Sequence, residues 1–202
     1  MKINSAEFEI GAAFASQFPP PVLPEVAFAG KSNVGKSSLL NTLLQRKKLV
    51  KTSATPGKTQ QINFFVINGR FRVVDLPGYG YAQAPKATQA GWARLVETYL
   101  TRRESLTGVV LIVDARHDPS PLDVQMKDWL ESLGRPTLIV AGKVDKLKAS
   151  QVASQLRRIQ EVLRMDALPL AHSSRTGQGR EEVWGLLGGW LEPLPAAAGA
   201  RP

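Results

Sequence analysis

Eight consecutive residues, Gly30-Lys31-Ser32-Asn33-Val34-Gly35-Lys36-Ser37, fit the pattern G-x-x-x-x-G-K-[ST]. Chemistry on a polyphosphate needs this spacing. The glycines let the backbone wrap close to phosphate, with its N–H groups pointing inward at a helix N-terminus. Lys36 then supplies charge to the β- and γ-phosphates, which makes it a candidate catalytic residue, and the Ser37 hydroxyl is placed to hold Mg²⁺. A chance glycine-rich turn is the competing reading. The apolar strand-like run before the motif and the apolar helical run after it argue against that.

A phosphate loop with Mg²⁺ calls for an acidic group at the end of a neighbouring strand. Asp75-Leu76-Pro77-Gly78 follows the apolar run Phe71 to Val74. Asp75 would reach the metal through water, and the Gly78 N–H could sense a γ-phosphate. By itself such a tetrapeptide marks a turn; behind a phosphate loop it gains meaning. A third segment, Gly142-Lys143-Val144-Asp145, resembles the [N/T]-K-x-D element of GTPases. There the Asp accepts from guanine N1–H and N2–H₂ while the Lys stem covers the base. Adenine offers no donors at those positions, so the carboxylate would be left unpaired against it. Gly142 departs from the pattern, because the usual Asn or Thr side chain is missing. That touches base affinity rather than base choice. Finally, His172-Ser173-Ser174 forms a small polar loop that either meets guanine O6 through backbone N–H or simply caps the next helix.

The elements around these segments must bring them to one place. Strand-like runs are expected at Glu25–Ala29, Ile62–Ile67, Phe71–Val74, Val109–Val113, Thr137–Val140 and Ala167–Ala171. Helical runs are expected at Ser38–Leu44, Gln89–Arg103, Leu122–Leu133, Ala149–Leu163 and Glu181–Leu191. Asn68-Gly69 joins the second and third strands as a hairpin, making that pair antiparallel. The rhythm predicts an α/β fold: a three-layer P-loop NTPase sandwich with a mostly parallel six-stranded sheet, one antiparallel edge strand and helices on both faces. Ligands in such sheets sit beyond the carboxyl ends of the strands. Residues 1–23 read as an N-terminal segment ending in a stiff proline-rich stretch, 24–192 as the nucleotide-binding domain, and 193–202 as a fraying Ala/Pro/Gly-rich tail.

Composition narrows the class further. The chain has 202 residues with 43% hydrophobic and 21% charged, the balance of one soluble globular domain. Its longest apolar run, Gly108 to Val113, is strand-sized, so no membrane span is expected, and Met1 to Ser16, with Glu7 and Glu9 and no compact apolar core, gives no expectation of a secretion signal. The absence of cysteine excludes a disulfide framework and a Cys-based metal site. Cytoplasmic location and a monomer are the default expectations. A formal net charge of +9 and a pI near 10.0 favour polyanionic partners.

With four elements in this order, the sequence resembles the EngB (YihA/YsxC) family of bacterial Ras-like GTP-binding proteins, within the TrmE-Era-EngA-EngB-septin-like superfamily. The resemblance runs from about Phe14 to Leu191. It is carried by Pro24-Glu25-Val26-Ala27-Phe28-Ala29-Gly30, by Thr55-Pro56-Gly57-Lys58-Thr59-Gln60 with Ile62-Asn63-Phe64-Phe65, by Asp75-Leu76-Pro77-Gly78-Tyr79-Gly80-Tyr81-Ala82, and by Val113-Asp114-Ala115-Arg116-His117. The resemblance implies a GTP/GDP ligand. It also implies that Thr59 is a second Mg²⁺ ligand touching the γ-phosphate, with Gly57, Lys58, Thr59, Gln60 and Gln61 folding over the nucleotide. It further implies a part in large ribosomal subunit assembly and in normal cell division and septation, with rRNA as a partner through a basic surface. Candidate contacts are Arg46-Lys47-Lys48 with Lys51, Arg102-Arg103, Arg157-Arg158, and Arg175 with Arg180.

Ras-like enzymes orient the attacking water with a Gln just after D-x-x-G. Tyr79 stands there instead, so hydrolysis by the isolated chain is expected to be slow. Asn33 either shapes its loop or, as in some related GTPases, helps to hold K⁺ near the phosphates. Two rival readings stay open from sequence: a P-loop ATP-using phosphotransferase, and a nucleotide-regulated scaffold with negligible hydrolysis.

Overall fold

A computed structural model of the chain describes residues 1–46, 49–50, 61–80 and 86–192. Its strands are β1 (Ala6–Ala12), β2 (Glu25–Gly30), β3 (Ile62–Ile67), β4 (Phe71–Asp75), β5 (Leu106–Asp114), β6 (Thr137–Gly142) and β7 (Leu170–Ala171). The helices are α1 (Lys36–Leu43), α2 (Lys86–Arg102), α3 (Pro121–Ser132), α4 (Ala149–Val162) and α5 (Arg180–Gly188). One sheet holds all seven strands in the order β1-β3-β4-β2-β5-β6-β7.

Period-two alternation sorts the central strands between two apolar layers. In β2, Ala27 and Ala29 face the layer formed with Leu95, Tyr99 and Leu100 of α2, Leu130 of α3 and Ile159 of α4. Val26 and Phe28 face the other layer, with Leu39, Leu40 and Leu43 of α1 and Val183, Trp184 and Leu187 of α5. Every residue of β2 is buried, as a parallel strand covered on both faces requires. The result is the expected three-layer α/β sandwich.

The hairpin between β3 and β4 follows from its turn. Asn68 (φ 52°) and Gly69 (φ 63°) both take the left-handed region, the signature of a two-residue type I′ connection. β3 therefore runs antiparallel to β4, while β4, β5, β6 and β7 continue the parallel sheet around β2.

The expected six strands become seven. β1, from the N-terminal segment, pairs antiparallel with β3 and takes the edge position outside it. Glu7-Phe8-Glu9-Ile10 carries the polar–apolar alternation of an edge strand, a signal overlooked beside the prolines that follow. A bulge between Phe8 and Ile10 turns the Glu9 carboxylate onto Arg72, whose Nε and Nη2 donate to it at 2.7 and 3.0 Å.

At the amino end of β2, Glu25 is fully buried and accepts from four donors. Arg103 Nε and Nη2 reach it at 2.9 and 2.5 Å, Tyr99 Oη at 2.9 Å and Arg72 Nη1 at 3.3 Å. The same two arginines donate to the carbonyls of Pro19 and Pro20, pinning the proline-rich stretch to the sheet. Arg103 is thus removed from the candidate rRNA contacts: its guanidinium is enclosed by Glu25 rather than offered to a polyanion. Arg102, Arg157, Arg158 and Arg175 remain exposed.

Candidate functional site

The carboxyl ends of β2, β4, β5, β6 and β7 share one end of the sheet, and the predicted site residues Gly30–Ser37, Asp75–Gly78, Gly142–Asp145 and His172–Ser174 sit there. Past β2, the chain turns through Lys31–Gly35 before α1 begins. Gly35 has φ 108°, a conformation that a side chain would strain. Among the described residues no side chain caps the first turn of α1, an arrangement in which the N-terminal amides can receive an anionic ligand. Val34 N–H closes the loop onto Lys31 O at 3.1 Å. A Cβ on Gly30 would stand 3.0 Å from Ile112 O, so the loop's first glycine is needed for close packing against β5.

The segment after β4 is zipped onto this loop. Leu76 N–H donates to Phe28 O at 3.1 Å, Tyr79 N–H to Gly30 O at 3.3 Å, and Ser32 N–H to Tyr79 O at 2.9 Å. Ser32 Oγ donates to Gly78 O at 3.2 Å, and a Cβ on Gly78 would meet Ser32 Cα at 3.1 Å. Leu76 is buried and Pro77 half-buried, so this backbone is held from both sides. Lys36 forms an ion pair with Asp75, both side chains 10% exposed. The cation expected at the phosphates and the carboxylate expected on the metal side are therefore in direct contact.

Tyr79 points elsewhere. Its hydroxyl donates to Asp123 Oδ1 at 2.6 Å, while Asp123 Oδ2 accepts from Ser120 N–H and Oγ, both at 2.7 Å, as the capping group of α3. Burial, reinforced by the bond to Asp123, holds this phenol protonated, its pKa well above the usual tyrosine value. Sequence reasoning missed Asp123. Its S-x-x-D cap was readable, but its partner lies 44 residues away.

At the other side of the cradle, Gly142 pairs with Asp114 across β5 and β6. Lys143 then enters the left-handed region (φ 64°), held there as Val144 N–H donates to His172 O at 3.2 Å. Lys143 Nζ donates to Asn33 O at 2.8 Å and to Asp114 Oδ2 at 2.9 Å. Asp145 Oδ1 accepts from Ser173 Oγ at 2.7 Å. Ser173 Oγ in turn accepts backbone N–H from Arg175 and Thr176, both at 3.2 Å, which commits its proton to Asp145. The Ser173 hydroxyl, not only the loop's backbone, thus orients the carboxylate. Ser174 is exposed beside it.

His172 is 1% exposed, and its Nε2 has no hydrogen-bond partner among the described residues. Burial lowers its pKa to about 4 from an ordinary 6.5, and the Asp145 charge offsets this only in part. The folded state thus resists the proton that the unfolded chain accepts. Above pH 6.5 both states are neutral and nothing is lost. Between 6.5 and about 4 stability falls, by about 3 kcal/mol in all. Urea unfolding from pH 7 to pH 4.5 is expected to show this slope, and His172→Gln to flatten it. Equal slopes in the two proteins would contradict the assignment.

Gln61 stands at the start of β3 with its side chain over Gly11 of β1, not against the phosphate loop. Gly57, Lys58, Thr59 and Gln60 lie outside the described residues, as do Lys47, Lys48 and Lys51. The groups present suit a magnesium–nucleotide. A hydroxyl (Ser37) and a carboxylate (Asp75) are hard oxygen donors, and the glycine-lined cradle leaves backbone amides for phosphate oxygens.

Known proteins carry the same features. The model of the 50S ribosome-binding GTPase family matches residues 25–143. The probable GTP-binding protein EngB of Pelotomaculum thermopropionicum is 52% identical over 193 residues, covering 95% of this chain and 98% of the relative. The protein of the same name from Syntrophus aciditrophicus is 51% identical over 183 residues, covering 91% and 93%. Among solved structures, the crystal structure of a probable GTP-binding protein EngB shares the fold, with a TM-score of 0.68 over 83% of this chain and 98% of that one at 24% identity. The crystal structure of Era in complex with MgGDPNP and nucleotides 1506–1542 of 16S ribosomal RNA gives 0.62 over 89% and 59% at 26% identity. With the cradle, the oriented Asp145 and this identity over nearly the whole of both chains, the protein belongs to the EngB family of GTP-binding proteins, GTPases that hydrolyse GTP to GDP and phosphate.

Proposed function

We propose that the chain is a Mg²⁺-dependent GTP switch that works on the large ribosomal subunit during its assembly and is needed for normal cell division and septation. Family membership sets aside both the ATP-using phosphotransferase and the scaffold with negligible hydrolysis. The observation that carries the switch reading is the zipper between Gly30–Ser32 and Gly78–Tyr79. A γ-phosphate arriving beside this loop alters contacts at the D-x-x-G backbone that a diphosphate leaves alone, and differential contact is what a switch requires. The ribosomal part draws support from the basic charge of +9, from the name of the matching family model and from the rRNA in the Era complex. Cell division and septation come from the family resemblance.

In this reading Lys36 leaves Asp75 for the β- and γ-phosphates, and the α1 amides hold phosphate oxygens. Ser37 and Thr59 would hold Mg²⁺, with Asp75 behind water; when bound, the ion neutralises phosphate charge. Asp145 accepts from the guanine edge, and the Lys143 stem covers the base. Water is oriented by no amide at position 79, and Tyr79's hydroxyl is engaged by Asp123. Turnover by the isolated chain is therefore expected to be slow, near the unassisted Ras-like rate of about 10⁻⁴–10⁻³ per second. Tyr79→Ala is expected to keep it within about threefold, and ribosomal large subunits to raise it. A tenfold fall in Tyr79→Ala, or no stimulation by subunits, would refute this part.

K⁺ near Asn33 is the proposed activating ion. Lys143 takes up the Asn33 carbonyl at 2.8 Å, not its side chain, at an exposed residue with φ 65°. Hydrolysis is expected to run faster in KCl than in NaCl; equal rates would end the idea. The ribosomal reading is tested by co-sedimentation with large subunits in GTP, GDP and no nucleotide. Association is expected to depend on the nucleotide. Association that survives high salt and ignores nucleotide would overturn the switch.

A further inference from the structure

Asp114 closes β5 directly opposite Gly142, and Ala115 N–H donates to Gly142 O at 2.9 Å. That register places the Asp114 carboxylate beside the turn where Lys143 leaves the sheet. All of its acceptor sites are used by named donors. Oδ1 accepts from Arg116 Nε at 2.9 Å and from the Arg116 N–H at 3.1 Å; Oδ2 accepts from Arg116 Nη2 at 2.7 Å and from Lys143 Nζ at 2.9 Å. Arg116 grips the carboxylate as a planar fork, fixing its plane as well as its position. Lys143 in turn donates to Asn33 O in the phosphate loop. Its stem passes so near Gly35 that a Cβ there would stand 3.3 Å from Lys143 Cε.

We propose that Asp114 is a positioning residue for guanine recognition: gripped by Arg116, it sets the Lys143 ammonium on the Asn33 carbonyl and ties the base-reading loop to the phosphate loop. The inference rests on the reading of Lys143 and Asp145 as the guanine site. Gly142 makes this tether matter. A Cβ on Gly142 would sit in ordinary van der Waals contact, 3.6 Å from Ile112 Cγ2 and 4.0 Å from Val34 O, yet glycine sends no side chain toward the phosphate loop. A lysine stem has four rotatable bonds to be fixed when a base arrives; Asp114 fixes them beforehand, so less freedom is lost on binding.

Burial favours the neutral carboxyl at Asp114, but hydrogen bonds from Arg116 and Lys143 outweigh it and hold the group well below the usual carboxylate range. The tether therefore persists across the physiological pH range. Asp114 reaches the phosphate loop only through Lys143, so its loss is expected to fall on base binding rather than on turnover.

The test is equilibrium titration with a fluorescent methylanthraniloyl-GDP in Mg²⁺, on the full chain, for Asp114→Asn, Arg116→Ala, Lys143→Ala and the pairs with Lys143→Ala. Asp114→Asn is expected to raise Kd about tenfold or more, and Arg116→Ala about threefold. In the Lys143→Ala background each should add less than about twofold, because the residue being positioned is gone. KM for GTP should rise in step with Kd, with the loss falling on KM rather than kcat. Additive losses in the paired variants would overturn the inference and mark Asp114 as a general structural residue. So would an unchanged Kd in Asp114→Asn while Asp145→Asn weakens binding, which leaves the base site standing. An unchanged Kd in both Lys143→Ala and Asp145→Asn would overturn the base-site reading and the inference together. Arg116 is 41% exposed, so its variant keeps the coupling measurable even if Asp114→Asn folds poorly.

Discussion

Asp145→Asn is expected to bind GDP about a thousandfold more weakly than the parent chain, since one hydrogen bond gives way to a donor facing a donor and the other loses its charge, at about 1.5–3 kcal/mol each. The Ser173 hydroxyl, its lone pairs taken by the Arg175 and Thr176 N–H groups, can send its proton only to Asp145. The carboxylate is thereby fixed as an acceptor-only edge, the complement of guanine N1–H and N2–H₂. An asparagine at 145 turns one of those acceptors into an N–H₂ that faces a donor. Xanthine carries a carbonyl where guanine carries the amine, so the same variant should bind xanthosine diphosphate better than GDP. Competitive titration with the two diphosphates reads both effects. GDP affinity within tenfold of the parent would contradict the role of Asp145.

A second large effect lies at the opposite end of the sheet. Glu25→Ala is expected to destabilise the fold by about 3–5 kcal/mol, the cost of breaking a buried pair and leaving its partner charged. Glu25 is fully buried, and the Arg72 and Arg103 side chains are only 4% and 8% exposed, so neither guanidinium can recover its lost partner from water. Arg72 retains Glu9 and the Pro20 carbonyl, while Arg103 is left with the Pro19 carbonyl and the faces of Phe18 and Phe64, none of which carries a negative charge. Against a usual total of about 5–15 kcal/mol, this is a large fraction of the stability. Urea unfolding should show a lower midpoint at unchanged slope. Because the cluster is remote from the cradle, the folded protein should keep its nucleotide affinity. A loss under about 1 kcal/mol would mean that the cluster is no better than an exposed pair.

The two predictions also mark where sequence reading succeeds. Gly30–Ser37, the Asn68-Gly69 turn and the alternating runs are local signals. A positive φ, a missing side chain or a period of two leaves its mark on a few neighbouring residues. The phosphate loop, the hairpin and the layered sheet were legible for that reason. The Glu25 cluster was not, because its partners come from residues 9, 19, 72, 99 and 103, and nothing near Arg103 distinguishes a buried guanidinium from an exposed one. β1 was in principle readable from Glu7-Phe8-Glu9-Ile10, but an edge strand leaves half its side chains exposed and so gives a weak pattern. Tyr79 was read correctly as lacking an amide, while its bond to Asp123 depends on how α3 docks. Asp114 was visible as part of a motif without a task. Only the β5–β6 register, which brings it beside Lys143, supplies one.

The central claim is that one cradle grips phosphates while Asp145 selects the purine. The most direct measurement is displacement of methylanthraniloyl-GDP from the purified chain in Mg²⁺ by GTP and by ATP. GTP is expected to displace the probe, and ATP to fail at about a hundredfold excess. Equal displacement by ATP, or no binding of the probe at all, would contradict it.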